Sequence, residues 1–78
     1  MFQEKKVTSP LRELRKKKRI SARDLGDRVG IPEYTILKLE RGEMVPDYKE
    51  SLRLGAYFDM PWHLIMERCH DYRIKVLL

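Results

Sequence analysis

The segment Ser21–Gly42 reads SARDLGDRVGIPEYTILKLERG and contains two short helical patterns separated by a glycine and a proline. In the first pattern, apolar residues recur with the spacing of one helical face, at Ala22, Leu25, Gly26 and Val29. Ser21 supplies an N-cap, with Asp24 three residues later as in a capping box, and Gly30 suits the left-handed position that ends a helix. Pro32 opens the second pattern. The segment therefore predicts two helices of about eight residues joined by a tight turn.

A helical wheel at about 100° per residue divides the second of these helices into two faces. Thr35, Ile36 and Leu39 fall on one side, where they can pack against the first helix. The other side should face outward and carries a mixed set of residues: Glu33, Tyr34, Leu37, Lys38 and Arg41. Exposing an aromatic and a leucine side chain is unfavourable, so this outward face is expected to contact a partner. The spacing is that of a helix-turn-helix, whose second helix enters the DNA major groove.

Three further helices are predicted around this pair, which gives an all-α fold of five helices. Capping residues and prolines predict a first helix from Ser9 and Pro10 to about Lys18, a fourth from the Asp47–Glu50 capping box to Phe58, and a fifth opened by Pro61. Apolar residues at helical spacing should join the core, among them Phe58, Trp62, Ile65 and Met66.

These patterns divide the chain into an N-terminal arm at residues 1–8, a helical domain at residues 9–70 and a tail at residues 71–78. In the tail, Tyr72, Ile74, Val76 and Leu78 alternate with Arg73, Lys75 and Leu77, which is typical of a short strand or an extended segment. Four tail residues have little left to cover in their own subunit and are expected to form a homodimer interface: Ile74, Val76, Leu77 and Leu78.

Length and composition limit the function classes. A chain of 78 residues corresponds to one domain with little room for a deep catalytic cleft. The single cysteine, Cys69, excludes an internal disulfide and suits a reducing compartment. The first eight residues lack the apolar core of a secretory signal, and no apolar run is long enough to cross a membrane. A cytoplasmic protein is therefore expected.

The net charge of +5 is concentrated at the start of the chain. Residues 1–19 carry eight Lys and Arg against two Glu, a local charge of +6, whereas the remaining residues carry nine basic and ten acidic groups, a charge of −1. A polyanion is one explanation of such a patch, because each neutralised phosphate releases counterions. A solvated helix end whose cations complement the helix dipole is the other. Charge alone does not separate the two.

The sequence resembles the phage repressor and Cro type of helix-turn-helix family, often called XRE-like, over about residues 9–68. The residues that carry the resemblance are Leu11–Arg15, Ile20, Ser21, Leu25, Val29–Ile31, Thr35, Ile36, Leu39–Gly42, Pro46, Leu52, Leu54, Trp62 and Ile65. The resemblance implies a compact, five-helix, lambda-repressor-like domain that binds specific double-stranded DNA as a small transcriptional regulator, with repression the expected effect. It implies no cofactor and no metal.

The resemblance also assigns roles to individual positions. Base edges would be contacted by Glu33, Tyr34 and Lys38, with Lys38 donating to guanine and Glu33 accepting from cytosine. Phosphates would be contacted by Ser21 and Arg41. Separately from the resemblance, the local positive charge at the end of the first helix predicts further backbone contacts at Arg15, Lys17, Lys18 and Arg19. Arg15 and Glu40 match positions that pair across the first and third helices and orient the recognition helix.

Several positions depart from the family pattern. Ala22 stands where glutamine is frequent, Glu43 where a basic residue is frequent, and Pro32 where a Ser or Thr cap is usual. Glu33 adds a negative charge near the phosphates. These departures predict modest affinity per subunit and greater dependence on dimerisation and on the basic first helix.

Two other classes of function remain open. The acidic Glu33 and Glu43 and the outward Leu37 favour a protein-interaction module, such as an antitoxin that binds a protein partner through the same domain. An enzyme is disfavoured because no catalytic triad, paired carboxylates or phosphate loop is present. Cys69 and His70 are adjacent and point about 100° apart on a helix, so they are poorly placed to share a metal. Residues 1–8 are expected to be a frayed end, with a DNA-contacting arm through Lys5 and Lys6 as the alternative.

Overall fold

Five α-helices follow one another in the computed structural model, which describes residues 7–78. They are α1 (Pro10–Lys17), α2 (Ala22–Val29), α3 (Glu33–Glu40), α4 (Tyr48–Phe58) and α5 (Trp62–Leu77). No strand is present in this part of the chain. The predicted all-α, five-helix fold is confirmed, and α2 and α3 are the two helices predicted in the central segment.

The helix starts follow local side-chain chemistry. The hydroxyl of Ser21 accepts a hydrogen bond from the Asp24 amide at 3.0 Å, although no reciprocal bond from the Asp24 carboxylate completes a box. Asp47 and Glu50 form the full box, with the Glu50 amide 2.8 Å from the Asp47 carboxylate and the Asp47 amide 3.0 Å from Glu50. The proline before α3 provides no side-chain cap, as expected.

The ends of α2 and α4 share one geometry. Each helix ends in a left-handed residue, Gly30 or Asp59, which is followed two positions later by the proline before the next helix. Gly26 lies under the first turn, where a Cβ atom would be 2.3 Å from the Ile31 carbonyl oxygen. Gly55 lies in the same way under the turn between α4 and α5. A side chain at Gly26 would therefore force the turn away from α2 and tilt α3.

The core lies between the five helices and includes residues from each of them. Its buried apolar residues are Leu11, Ala22, Leu25, Val29, Ile31, Ile36, Leu39, Leu54, Phe58, Ile65 and Cys69. Burial of Phe58 and Ile65 agrees with the sequence prediction, and Met66 is partly buried. The prediction that Trp62 belongs to the core is wrong: its side chain is 37% exposed and packs edge-to-face on Tyr48, with ring centres 4.8 Å apart. Trp62 is the first residue of α5, and helical spacing alone does not show that this end lies at the rim.

The prediction of a strand or an extended segment at residues 71–78 is also wrong. The fifth helix continues without a break to Leu77. Residues 62–78 contain neither glycine nor proline, so nothing in the sequence interrupts the helix. The same residues that alternate along the chain also form helical faces, and Tyr72 and Val76, four positions apart, pack together on Gly42.

Candidate nucleic-acid interface

Helix α3 has one buried and one exposed face. Its buried residues are Thr35, Ile36, Leu39 and Glu40. Glu33, Tyr34 and Lys38 are exposed together on the other side, and Tyr34 retains 66% of its accessible surface. Leu37 differs from the prediction, because it is only partly exposed and packs against the core. The outward face is therefore narrower than predicted: it carries Glu33, Tyr34 and Lys38, with the exposed Arg41 directly after the helix.

A buried ion pair attaches α3 to α1. The Arg15 guanidinium donates to both carboxylate oxygens of Glu40, from Nε at 2.5 Å and from Nη2 at 2.9 Å. Its Nη1 atom donates to the Ile20 carbonyl oxygen at 3.0 Å. Hydrogen bonding to Glu40 raises the pKa of Arg15, and desolvation opposes that shift only in part. Three of the five guanidinium N–H groups are thus used inside the protein, which leaves two for any phosphate.

On either side of α3, an arginine side chain from another helix donates a hydrogen bond to a backbone carbonyl oxygen. Before α3, Arg53 of α4 donates to the Gly30 carbonyl oxygen at 3.2 Å. After α3, Arg73 of α5 donates to the Gly42 carbonyl oxygen at 2.8 Å. Neither hydrogen bond was predicted from the sequence, because donor and acceptor are 23 and 31 positions apart in the chain and no local signal reveals such a pair.

The residues assigned to phosphate contact differ in their availability. Ser21 is exposed at the start of α2, where its oxygen caps the helix and its hydroxyl proton is free to be donated. Arg41 is exposed but forms an ion pair with Glu43, whose side chain is also about half exposed. Glu43 is one of the departures from the family pattern, and its carboxylate pairs with Arg41, for which the resemblance predicts a phosphate contact.

Lys17, Lys18 and Arg19, the other residues assigned to backbone contact at the end of α1, are all exposed. Lys17 and Arg19 have no ion pair or hydrogen bond from their side chains among the described residues. The ammonium of Lys18 lies 4.8 Å from the centre of the Tyr57 ring on α4, which is a cation–π contact. Lys18 therefore has a contact within the protein that competes with any phosphate.

A family model described as "Helix-turn-helix", the Cro/C1-type and XRE-like family, matches residues 11–65. The chain belongs to this helix-turn-helix family. The match extends from α1 to the first turn of α5 and includes both helices of the motif and the buried ion pair. Residues 66–78 lie outside it. Neither a curated protein nor a solved structure matches the chain significantly.

Membership of the helix-turn-helix family indicates that α3 is part of a DNA-binding motif. Proteins of this family are DNA-binding regulators, and double-stranded DNA is the ligand that the family supports here. The second helix of the motif is the one that enters the major groove, and in this chain it is α3. On the outward side of α3, Glu33, Tyr34 and Lys38 are exposed.

The four residues predicted to form a dimer interface lie on the end of α5. Their exposed fractions are 46% for Ile74, 44% for Val76, 68% for Leu77 and 98% for Leu78. On the helix that replaces the predicted strand, Ile74, Leu77 and Leu78 share one face, and Val76 turns toward Gly42. The set is therefore divided between two faces of α5.

The remaining candidate groups form no site among the described residues. Cys69 is buried, and desolvation raises the pKa of its thiol to about 11, which keeps it protonated and unreactive at neutral pH. Within residues 7–78, no three His, Cys, Asp or Glu side chains are grouped so that they could hold a metal ion. None of the five helices has both the length and the apolar character needed to cross a membrane. The predicted arm contacts through Lys5 and Lys6 lie outside the described residues.

Proposed function

We propose that this protein is a sequence-specific transcriptional regulator, a cytoplasmic repressor without enzymatic activity, that reads its operator with α3. The proposal rests on the two faces of α3. Its inner face is packed into the core, while Glu33, Tyr34 and Lys38 project outward. A recognition helix needs this combination, since base discrimination depends on side chains held in a fixed position.

The proposed base contacts follow from side-chain chemistry. Lys38 donates to guanine O6 and N7, Glu33 accepts from cytosine N4, and Tyr34 contacts a thymine methyl group or a phosphate. Backbone contacts come from Ser21 and from Arg41, with further charge supplied by Lys17 and Arg19. We assign Arg15 chiefly to the ion pair with Glu40, because three of its donors are used there.

We further propose that the protein binds as a homodimer through the end of α5. Two-fold symmetry would place two copies of α3 in successive major grooves, about 34 Å apart on an imperfect palindrome. Ile74, Leu77 and Leu78 form a small exposed apolar face that a second copy would cover. A dimer doubles the phosphate contacts, which compensates for the modest number available to each subunit.

A protein partner is the second candidate. The ion pair between Arg41 and Glu43 favours it, because this pair neutralises a cation that a DNA-binding surface would use. An antitoxin-like module would then use the exposed Tyr34 on the same face of α3.

The proposal is tested by selecting bound duplexes from a random-sequence pool with the purified protein at low salt. We expect a pseudo-palindromic consensus with two half-sites one helical turn apart. Lys17→Ala should weaken binding to every duplex by a similar factor and reduce the salt slope by about one. Recovery of no enriched sequence would reject the DNA-binding proposal and turn attention to the protein partner.

A further inference from the structure

The last two turns of α5 contact the loop that follows the recognition helix. Gly42 has a φ of 74°, in the left-handed region, and a Cβ atom there would lie 3.1 Å from Tyr72 Cε2 and 3.2 Å from Val76 Cγ2. Arg73 donates to the Gly42 carbonyl oxygen at 2.8 Å. These three residues form what we call the inner face of α5: Tyr72, Arg73 and Val76.

Two backbone hydrogen bonds connect this loop directly to the residues of α3. The Glu43 amide donates to the Lys38 carbonyl oxygen at 3.0 Å, and the Gly42 amide donates to the Leu39 carbonyl oxygen at 3.3 Å. This pair of bonds is the Schellman arrangement, which closes a helix by satisfying its last carbonyls. Through it, the inner face of α5 is coupled to the backbone of Lys38, the proposed base-contacting lysine, and to the neighbouring Arg41.

We infer that Arg73 is a positioning residue for DNA recognition, which holds the loop at residues 41–43 so that Lys38 and Arg41 meet the duplex in a fixed orientation. The inference rests on the proposed function. Arg73 lies outside residues 11–65, so this role is additional to the matched helix-turn-helix core. The bond is partly buried and its donor is charged, and both features make such a hydrogen bond stronger than an exposed neutral one.

The structural half of the inference is tested on the free protein by amide hydrogen exchange. Arg73→Ala should accelerate exchange of the Gly42 and Glu43 amides about tenfold, because the loop loses its charged donor. Exchange at the Gly30 amide, which closes α2, should remain unchanged. Lys75→Ala is the matched control, since it removes one exposed cation two positions away on the same helix and should change none of these rates. Unchanged exchange at Gly42 and Glu43, or uniform acceleration in all helices, would overturn the inference.

The functional half is tested with the selected duplex cut to a single half-site, so that dimerisation does not enter the comparison. Arg73→Ala should weaken half-site binding about tenfold, and Lys75→Ala should weaken it less than about twofold. The double variant Arg41→Ala/Arg73→Ala should lose less DNA affinity than the product of the fold losses in the two single variants, because both substitutions act on one contact. Full additivity, or faster exchange in the loop with unchanged DNA affinity, would show that Arg73 has no positioning role. If the wild-type protein selects no duplex, the proposed function fails, and the exchange result alone decides whether Arg73 holds the loop.

Discussion

Glu43 is the residue whose charge works most directly against the proposed DNA contact. Its carboxylate pairs with the Arg41 guanidinium on the exposed surface. Glu43→Gln should therefore strengthen DNA binding about twofold to fivefold, because it frees Arg41 and removes a negative charge near the phosphates. The measurement is the dissociation constant at fixed salt. Glu67→Gln is the control, as it removes an exposed carboxylate from α5 that has no ion pair among the described residues; equal effects of the two substitutions would contradict the specific role of Glu43.

Glu40 is the residue that connects α3, the proposed recognition helix, to α1. Glu40→Gln should lower the free energy of unfolding by about 3 kcal/mol, because it leaves the largely buried Arg15 charge without its partner. The raised pKa of Arg15 means that the folded state holds this proton more tightly than the unfolded state. The stabilisation that protonated Arg15 provides is fully present below the pKa of the unfolded state. It is lost only as pH rises through the higher pKa of the folded state. The loss in Glu40→Gln, measured by denaturant unfolding, should thus be equal at about pH 6 and about pH 9.

The matching control for that experiment is Glu13→Gln, which removes an exposed carboxylate from α1. It should change the free energy of unfolding by less than about 0.5 kcal/mol. A similar small effect of Glu40→Gln would mean that the ion pair does not anchor α3.

At the scale of the helices, the close approach between α2 and its turn sets the direction of α3. Gly26→Ala should lower the free energy of unfolding by more than about 2 kcal/mol, since its Cβ would overlap the Ile31 carbonyl oxygen, a backbone atom that cannot move alone. Asp27→Ala is the control, because Asp27 is the next residue of α2 and its side chain is exposed. This substitution should have little effect on the free energy of unfolding. Equal melting temperatures for Gly26→Ala and the wild type would show that the turn relaxes without cost.

The helical elements also show what the sequence can and cannot predict. Caps, prolines and apolar spacing are local signals, and they predicted α1 to α4 and the start of α5. The state of residues 71–78 was predicted incorrectly because alternation over a few residues is compatible with both a strand and a helix. Residues 62–78 contain no glycine or proline to end the helix, and the packing of Tyr72 and Val76 on Gly42, about thirty positions away, has no local signal. The hydrogen bonds of Arg53 and Arg73 escape prediction for the same reason: their acceptors are backbone carbonyls distant in the chain.

At the scale of the whole molecule, one face of α5 is proposed to form the dimer and the other to position the loop that follows α3. The apolar outer face is the proposed dimer surface, so Leu77→Asp should convert the protein to monomers in sedimentation and weaken binding to a complete operator far more than to a half-site. Deleting residues 72–78 should also yield monomers, but it removes the inner face as well and is therefore the less specific test.

The control for the dimer surface is Leu52→Asp, the same substitution at another exposed leucine, on α4. It should leave the dimer intact. Loss of the dimer in Leu52→Asp but not in Leu77→Asp would place the interface on α4 and contradict the assignment to α5.

We propose that the outward face of α3 reads the base sequence. The affinity of Lys38→Ala for the selected duplex and for duplexes with single base-pair changes tests this most directly, with Lys75→Ala as the charge-matched control. We predict a loss of about 1–3 kcal/mol for Lys38→Ala on the selected duplex, together with reduced discrimination at one base pair of each half-site. Unchanged affinity and unchanged discrimination in Lys38→Ala would contradict the assignment of α3 as the recognition helix.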